Sequence, residues 1–239
     1  MGEDEGETAV ISVVFLVFLK TAVLVPITLL PIMNPLGNAP IFLSMTQGAD
    51  DSTTNKLAQR VATNCLFLLL GAVFVGSYVL AFFGLSLPIV RVAGGLLVAA
   101  TGWHLLHDNG SEHGDSAIRT TLSEADTVNW SEGELRQRSF YPITFPLTVG
   151  PGSIAASIAL GAQQHGKVLD WVISGSAAAL GVLITAVSVY FIYRYAGRLL
   201  RFMGEMGTTV VMRLSAFILL CIGFEIMWTG LSVLIEDLK

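Results

Sequence analysis

Long apolar runs separated by short polar breaks set the pattern of this chain. Residues 9–33, 61–83, 87–106, 168–193 and 209–235 carry few charges, and each reaches the roughly 20 residues that cross ~30 Å of hydrocarbon as a helix. A sixth run, 140–162, is equally apolar but holds three prolines. The pattern predicts an all-α, polytopic membrane protein of about six transmembrane segments. Five stretches organise it: an acidic tail at 1–8, spans at 9–107, a polar linker at 108–139, further spans at 140–235, and a tail at 236–239.

Two of the runs share a proline grid. Pro31-Ile-Met-Asn-Pro35-Leu-Gly-Asn-Ala-Pro40 and Pro142-Ile-Thr-Phe-Pro146-Leu-Thr-Val-Gly-Pro151 both read P-I-x-x-P-L-x-x-x-P. Proline removes a backbone donor and clashes with the preceding helical turn. Broken backbone at membrane depth needs protein or a polar cavity to satisfy it. Matching breaks in the two halves of a hydrophobic chain point to a transporter's binding site.

The repeat extends past the grids. Arg91-Val-Ala-Gly-Gly opens one span and Arg213-Leu-Ser-Ala-Phe another. Each half then holds a proline-broken segment, an unbroken helix, and a helix entered by arginine. Three spans per half is an odd number, so the second half enters the membrane inverted. Lys56 and Arg60, then Arg119, Arg136 and Arg138, then Arg194, Arg198 and Arg201 fall on one side, against Arg91, Lys167 and Lys239 on the other. The positive-inside tendency makes the first side cytoplasmic and puts both termini outside. The 108–139 linker, rich in Ser, Thr, Asp, Glu and Gly, reads as a flexible cytoplasmic connection, with Trp130 as an interfacial anchor.

The grids also carry chemistry. A helix restarting near Pro40 or Pro151 has proline in its preferred first turn. Its first amides, at 42–44 and 152–154, would then face the gap at the positive end of a helix dipole, where a carboxylate binds without a charged side chain. Carbonyls around 30–34 and 141–145 would be left for an ammonium or cation. Asn34, Asn38, Thr144, Thr148 and Ser153 add neutral hydrogen-bonding groups. This set suits a small zwitterion, and a tight, Gly-lined gap would exclude bulky side chains. The plainer alternative is a pair of kinks satisfied by neighbouring helices.

Composition narrows the field. The chain is 53% hydrophobic and 13% charged, with mean hydropathy +0.69. A net charge of −5 argues against nucleic acid, which calls for clustered Lys and Arg. The acids Glu3, Asp4, Glu5 and Glu7 stand where a secretory signal would be basic, so the first run reads as a retained helix. Cys65 and Cys221 read as packing residues within spans. No H-E-x-x-H or G-x-S-x-G motif is present, so no enzyme activity, cofactor or metal is expected. His104, His107, Asp108, Glu112 and His113 lack a metal-ligand spacing. Glu225, near the middle of the last span, is a functional candidate because acids are rare at that depth; pairing with Arg91, Arg213 or His104 is the alternative.

Asn34-Pro-Leu-Gly-Asn38 with Pro40-Ile-Phe-Leu, Leu87-Pro-Ile-Val-Arg-Val-Ala-Gly-Gly95, and Phe145-Pro-Leu-Thr-Val-Gly-Pro-Gly-Ser153 follow one another in the chain. Together they resemble the MarC family of six-span inner-membrane proteins, over all but the acidic start and the linker. That family is similar to small neutral amino acid transporters of the SnatA type and, more distantly, to LysE-like exporters. The resemblance implies alternating-access movement of glycine, alanine and similar amino acids across a bacterial inner membrane, with export favoured. Drug or other small-molecule efflux is the runner-up. The family's motif positions carry over to Asn34, Pro35, Gly37, Asn38 and Pro40, and to Pro146, Thr148, Gly150, Pro151, Gly152 and Ser153, all but Pro146 taken as substrate-binding. Arg91 and Gly94-Gly95 match the third motif. Glu225 stands where the family pattern implies a neutral glutamine, so Glu225, Arg91 and His104 are candidates for coupling or gating. A proton or sodium ion and a second copy of the chain are the further expected partners, beside the bilayer.

Overall fold

The apolar runs become helices whose ends are set by identifiable residues. The computed structural model describes residues 2–46, 49–107, 130–162 and 168–236. Helix α1 (Gly2–Met33) passes through Pro26 and Pro31, and α2 (Pro35–Met45) follows after the single residue Asn34. Helix α3 (Asp51–Phe82) starts at Asp50, whose carboxylate accepts the Thr53 amide at 3.0 Å as an N-cap. It stops where Gly84 takes φ 67° and the Leu85 amide reaches back to the Leu80 carbonyl at 2.9 Å. That six-to-one closure satisfies a carbonyl the helix end would leave bare. Helix α4 (Leu87–His107) opens with Pro88 in its first turn.

Helix α5 (Glu132–Arg138) lies inside the stretch expected to be a flexible linker. A reciprocal capping box starts it: the Ser131 hydroxyl accepts the Glu134 amide and the Glu134 carboxylate accepts the Ser131 amide. The signal S-x-x-E is in the sequence, but only one turn of apolar periodicity follows it. The rest of the expected linker, 108–129 with Asp108, Glu112, His113 and Arg119, lies outside the described residues, as do Lys167 and Lys239. A π-helical segment (Ser139–Thr148) continues α5 and leads to α6 (Pro151–Ala162). Helix α7 (Val168–Arg194) and helix α8 (Ala196–Glu236) complete the described residues. Within α8, Gly204 adopts φ 67° and breaks the helix just before the last span, an arrangement open to glycine at little cost.

Among the described residues, five helical stretches are long and apolar enough to cross a membrane: Val14–Met33, Asp51–Phe82, Leu87–His107, Val172–Arg194 and Met206–Glu236. A sixth is the bent pair Glu132–Thr148 and Pro151–Ala162, whose halves meet at 73°. This is the all-helical, five-to-six-span protein the apolar pattern predicts. One boundary moves. The second span's helix begins at Asp51 rather than near 61, because its polar first turns are held by contacts outside the apolar run. The first span's helix runs through Lys20, whose side chain is exposed.

Helix α1 packs on α7, α3 packs on both α6 and α7, and α4 packs on α8. Glycines allow these approaches. A Cβ at Gly161 in α6 would overlap the Val73 carbonyl of α3, and one at Gly181 in α7 would lie 2.6 Å from Val25 Cβ in α1. Where lipid supplies no hydrophobic drive between helices, such close backbone contact is the main attraction. Cys65 is buried as expected, but Cys221 lies exposed on the surface of α8.

The basic loops gather at one end of the molecule. Lys56 and Arg60 of α3 pair with Glu132 of α5, Arg138 stacks over the Trp130 ring at 5.2 Å, and Arg194 donates to the Asp51 carbonyl at 3.2 Å. Trp130 is therefore tied to the helical body.

Candidate functional site

The two grids break their helices differently. In the first, only Asn34 leaves the helix, at φ 47° and ψ 51°. Asparagine tolerates this left-handed region because its short amide bonds locally. Here Asn34 Oδ1 accepts the Gly37 amide at 3.2 Å and so caps α2. Gly37 lacks a Cβ that would collide with the Asn34 side chain. Pro35 is the first residue of α2 and Pro40 lies within it. The expected restart near Pro40 is thus displaced to Pro35, because an asparagine cap directly before a proline is already a complete helix start. The amides of 42–44 belong to the body of α2 and face no gap.

In the second grid, Tyr141 and Phe145 take extended angles (φ −122° and −119°) inside the π-helical segment. Each precedes a proline, which pushes its neighbour away from helical geometry. Helix α6 restarts at Pro151, as expected. The Ser153 hydroxyl folds back onto the Gly150 carbonyl at 2.9 Å, and Gly152 lies against Val98 of α4.

Several of the carbonyls expected to be free are occupied. Asn34 donates its amide to Leu30 O, and Asn38 donates its own to Asn34 O. Thr144 Oγ1 donates to Ser139 O at 2.6 Å and Thr148 Oγ1 to Ile143 O at 2.7 Å, each five residues back. Having used its one proton there, Thr148 accepts from the Tyr193 hydroxyl at 2.8 Å. Asn38 joins the breaks: its Nδ2 donates to Met33 O at 3.0 Å and to Leu147 O at 2.8 Å. One amide side chain therefore holds released carbonyls of both grids.

Pro31 O is different. Its helical partner would be the amide of residue 35, and Pro35 has none. Pro31 is also one of the residues lining a half-open cavity of about 280 Å³, with Leu30, Asn34, Pro35, Leu36, Ile192, Ser215 and Ile218. The lining is mostly apolar and contains no glycine, unlike the expected Gly-lined gap.

Several residues of this centre carry no sequence signal. Tyr193 is fully buried and stacks on Phe42, ring centroids 4.5 Å apart; at the end of a span beside Arg194, a tyrosine reads as an interfacial group. Asn64 Nδ2 reaches Thr144 Oγ1 at 3.4 Å. Ser215 is recognisable only from its place on the cavity wall.

The other candidates stand apart. Glu225 is on the exposed outer face of α8, between exposed Phe224 and Trp228. Among the described residues the ion pairs are those of Glu132, so Glu225 pairs with none of Arg91, Arg213 or His104. Arg91 is half-buried against Gly230, and His104 is exposed. Among the described residues no three His, Cys, Asp or Glu side chains converge as metal ligands.

The sequence profile of the MarC family integral membrane protein matches residues 19–235. The chain belongs to the MarC family. Among curated relatives, the inner membrane protein MarC of Salmonella typhimurium is 28% identical over 215 residues, covering 88% of this chain and 93% of its own. The protein of the same name from Escherichia coli O139:H28 is 27% identical over 212 residues, with the same coverage. No solved structure matches the chain. Both grids, the cavity and the Asn38 bridge fall within the family match.

Proposed function

We propose that this MarC family member is a secondary transporter of small neutral amino acids, glycine and alanine with serine and threonine, exported across a bacterial inner membrane by alternating access. The reading rests on the Asn38 bridge: two helices broken in different halves of the sequence meet at one polar centre. Discontinuous helices meeting in this way build the midplane sites of many transporters. The names of the relatives support the membrane assigned.

An inverted repeat is part of the proposal, with three spans per half and both termini outside. The helix pairings support it: first span on fifth, second on fourth, third on sixth. Exchanging the halves returns the same set. Rocking one half against the other would expose the centre to alternate sides. The proposal includes no catalytic step and no cofactor; Glu225, with Arg91 and His104, is left outside the binding centre as a coupling or gating candidate, for a proton or sodium ion.

Counterflow in proteoliposomes tests the reading. Labelled alanine should accumulate against unlabelled glycine, alanine, serine or threonine, and Asn38→Leu should lower the initial rate at least tenfold. If no neutral amino acid exchanges in vesicles holding folded protein, the reading fails. The apolar cavity lining favours one rival, efflux of a small apolar molecule. Under it, overexpression would raise antibiotic tolerance and leave sensitivity to toxic amino acid analogues unchanged.

A further inference from the structure

We infer that the cavity beside the first break is the side-chain pocket of the transported amino acid, and that it admits branched aliphatic side chains. The inference rests on the amino acid reading above and extends its substrate class.

Asn34 is 7% exposed, and its Oδ1 is committed to the Gly37 amide. Its Nδ2 has no hydrogen-bond partner among the described residues. No fully occluded side-chain polar atom among them lacks a partner, so this nitrogen keeps some accessible surface, and Asn34 lines the cavity. It is a buried donor awaiting an acceptor. Pro31 O, deprived of a helical partner by Pro35, is an acceptor awaiting a donor. The Ser215 hydroxyl on the facing wall makes no hydrogen bond among the described residues and can serve either way.

A donor, an acceptor and a hydroxyl at the edge of an apolar hollow match an α-amino acid. The carboxylate would meet Asn34 Nδ2 at the positive end of α2. The ammonium would meet Pro31 O or Ser215 Oγ. The side chain would then lie against Leu30, Ile192 and Ile218. Size decides which side chain: an apolar cavity of about 150 Å³ already takes benzene, and this one is about 280 Å³. Glycine or alanine would leave most of that wall uncovered, whereas valine or leucine would cover it.

The test uses the full chain in proteoliposomes, with labelled glycine, alanine, valine and leucine in counterflow. Valine and leucine should exchange at least as fast as alanine. Ser215→Phe, which fills the hollow, should lower the leucine-to-alanine rate ratio about tenfold, the scale on which a pocket discriminates a few methylenes. Ile218→Ala, a smaller side chain at a partly exposed position, should raise that ratio, so the result does not hang on one bulky substitution. Exchange of glycine and alanine without valine or leucine overturns this inference and leaves the parent reading standing. A ratio unmoved in both variants also overturns it. Exchange of no amino acid sinks both.

Discussion

The two proline grids share five residues at identical spacing and fold in unlike ways. The first loses one residue from its helix, Asn34, and restarts at once. The second spreads its break over Tyr141 and Phe145 and bends its span by 73°. Asn34 and Phe145 occupy the same grid position, directly before the central proline. Asparagine can enter the left-handed region and cap the next helix. Phenylalanine can do neither, so the proline drives it to extended geometry. Proline spacing says where a helix can break; the residue before the proline says how.

The two breaks also satisfy their carbonyls by one device. Asn38, Thr144 and Thr148 each donate a side-chain proton to a carbonyl five residues back. Only Asn38 has a second proton to offer, and it spends that one on the other grid. Asn38→Leu therefore makes the largest break in the comparison. It leaves Met33 O and Leu147 O without their donor, at about 1–3 kcal/mol for each if water cannot replace it. With Asn38 only partly buried, a loss of about 2–3 kcal/mol is expected, read as a lowered thermal midpoint in detergent. A loss near zero would mean the grids are joined mainly by packing.

The position before the central proline gives the next contrast. Asn34→Val removes the cap and forces a β-branched residue to φ near 47°, a change worth about 2 kcal/mol or more. Asn34→Gly keeps the backbone and should cost only a few tenths of a kcal/mol. Phe145→Val, already extended and before a proline, should lose about 1 kcal/mol through packing alone. If valine is equally harmful at both positions, the residue before the proline does not select the break.

Much of this is legible in the sequence. The apolar runs predict the spans, and the central proline of each grid marks where its helix fails, because both signals act locally. The restart at Pro35 had a local signal that the shared spacing hid: Asn34 before Pro35 is a strong cap, and Ala39 before Pro40 is a poor one. Tyr193 and Ser215 were invisible for another reason. Their roles depend on which helix lies opposite, and a tyrosine beside Arg194 has the same local pattern whether it faces headgroups or a buried threonine. Glu225 shows the reverse error: depth in a span can be counted along the chain, but which way the side chain faces cannot.

The smallest contrast lies one turn on, at the grid glycines. Alanine normally gains up to about 1 kcal/mol over glycine in a helix. At Gly37 a new Cβ would overlap the Asn34 side chain, so the cap would be lost, at about 1 kcal/mol, and the displaced amide would crowd its neighbours at a further ~1 kcal/mol or more. The balance predicts Gly37→Ala to be about 1 kcal/mol less stable. Near Gly150 the closest atom to a new Cβ is Pro146 O at 3.3 Å, and no left-handed angle is required there. Gly150→Ala should then change stability by no more than about 0.5 kcal/mol, the tight approach to Pro146 O being set against a less flexible unfolded chain. Paired melting curves of the two variants read the difference directly. Were Gly150→Ala the more harmful of the two, that glycine would be holding a backbone approach that the present geometry does not require.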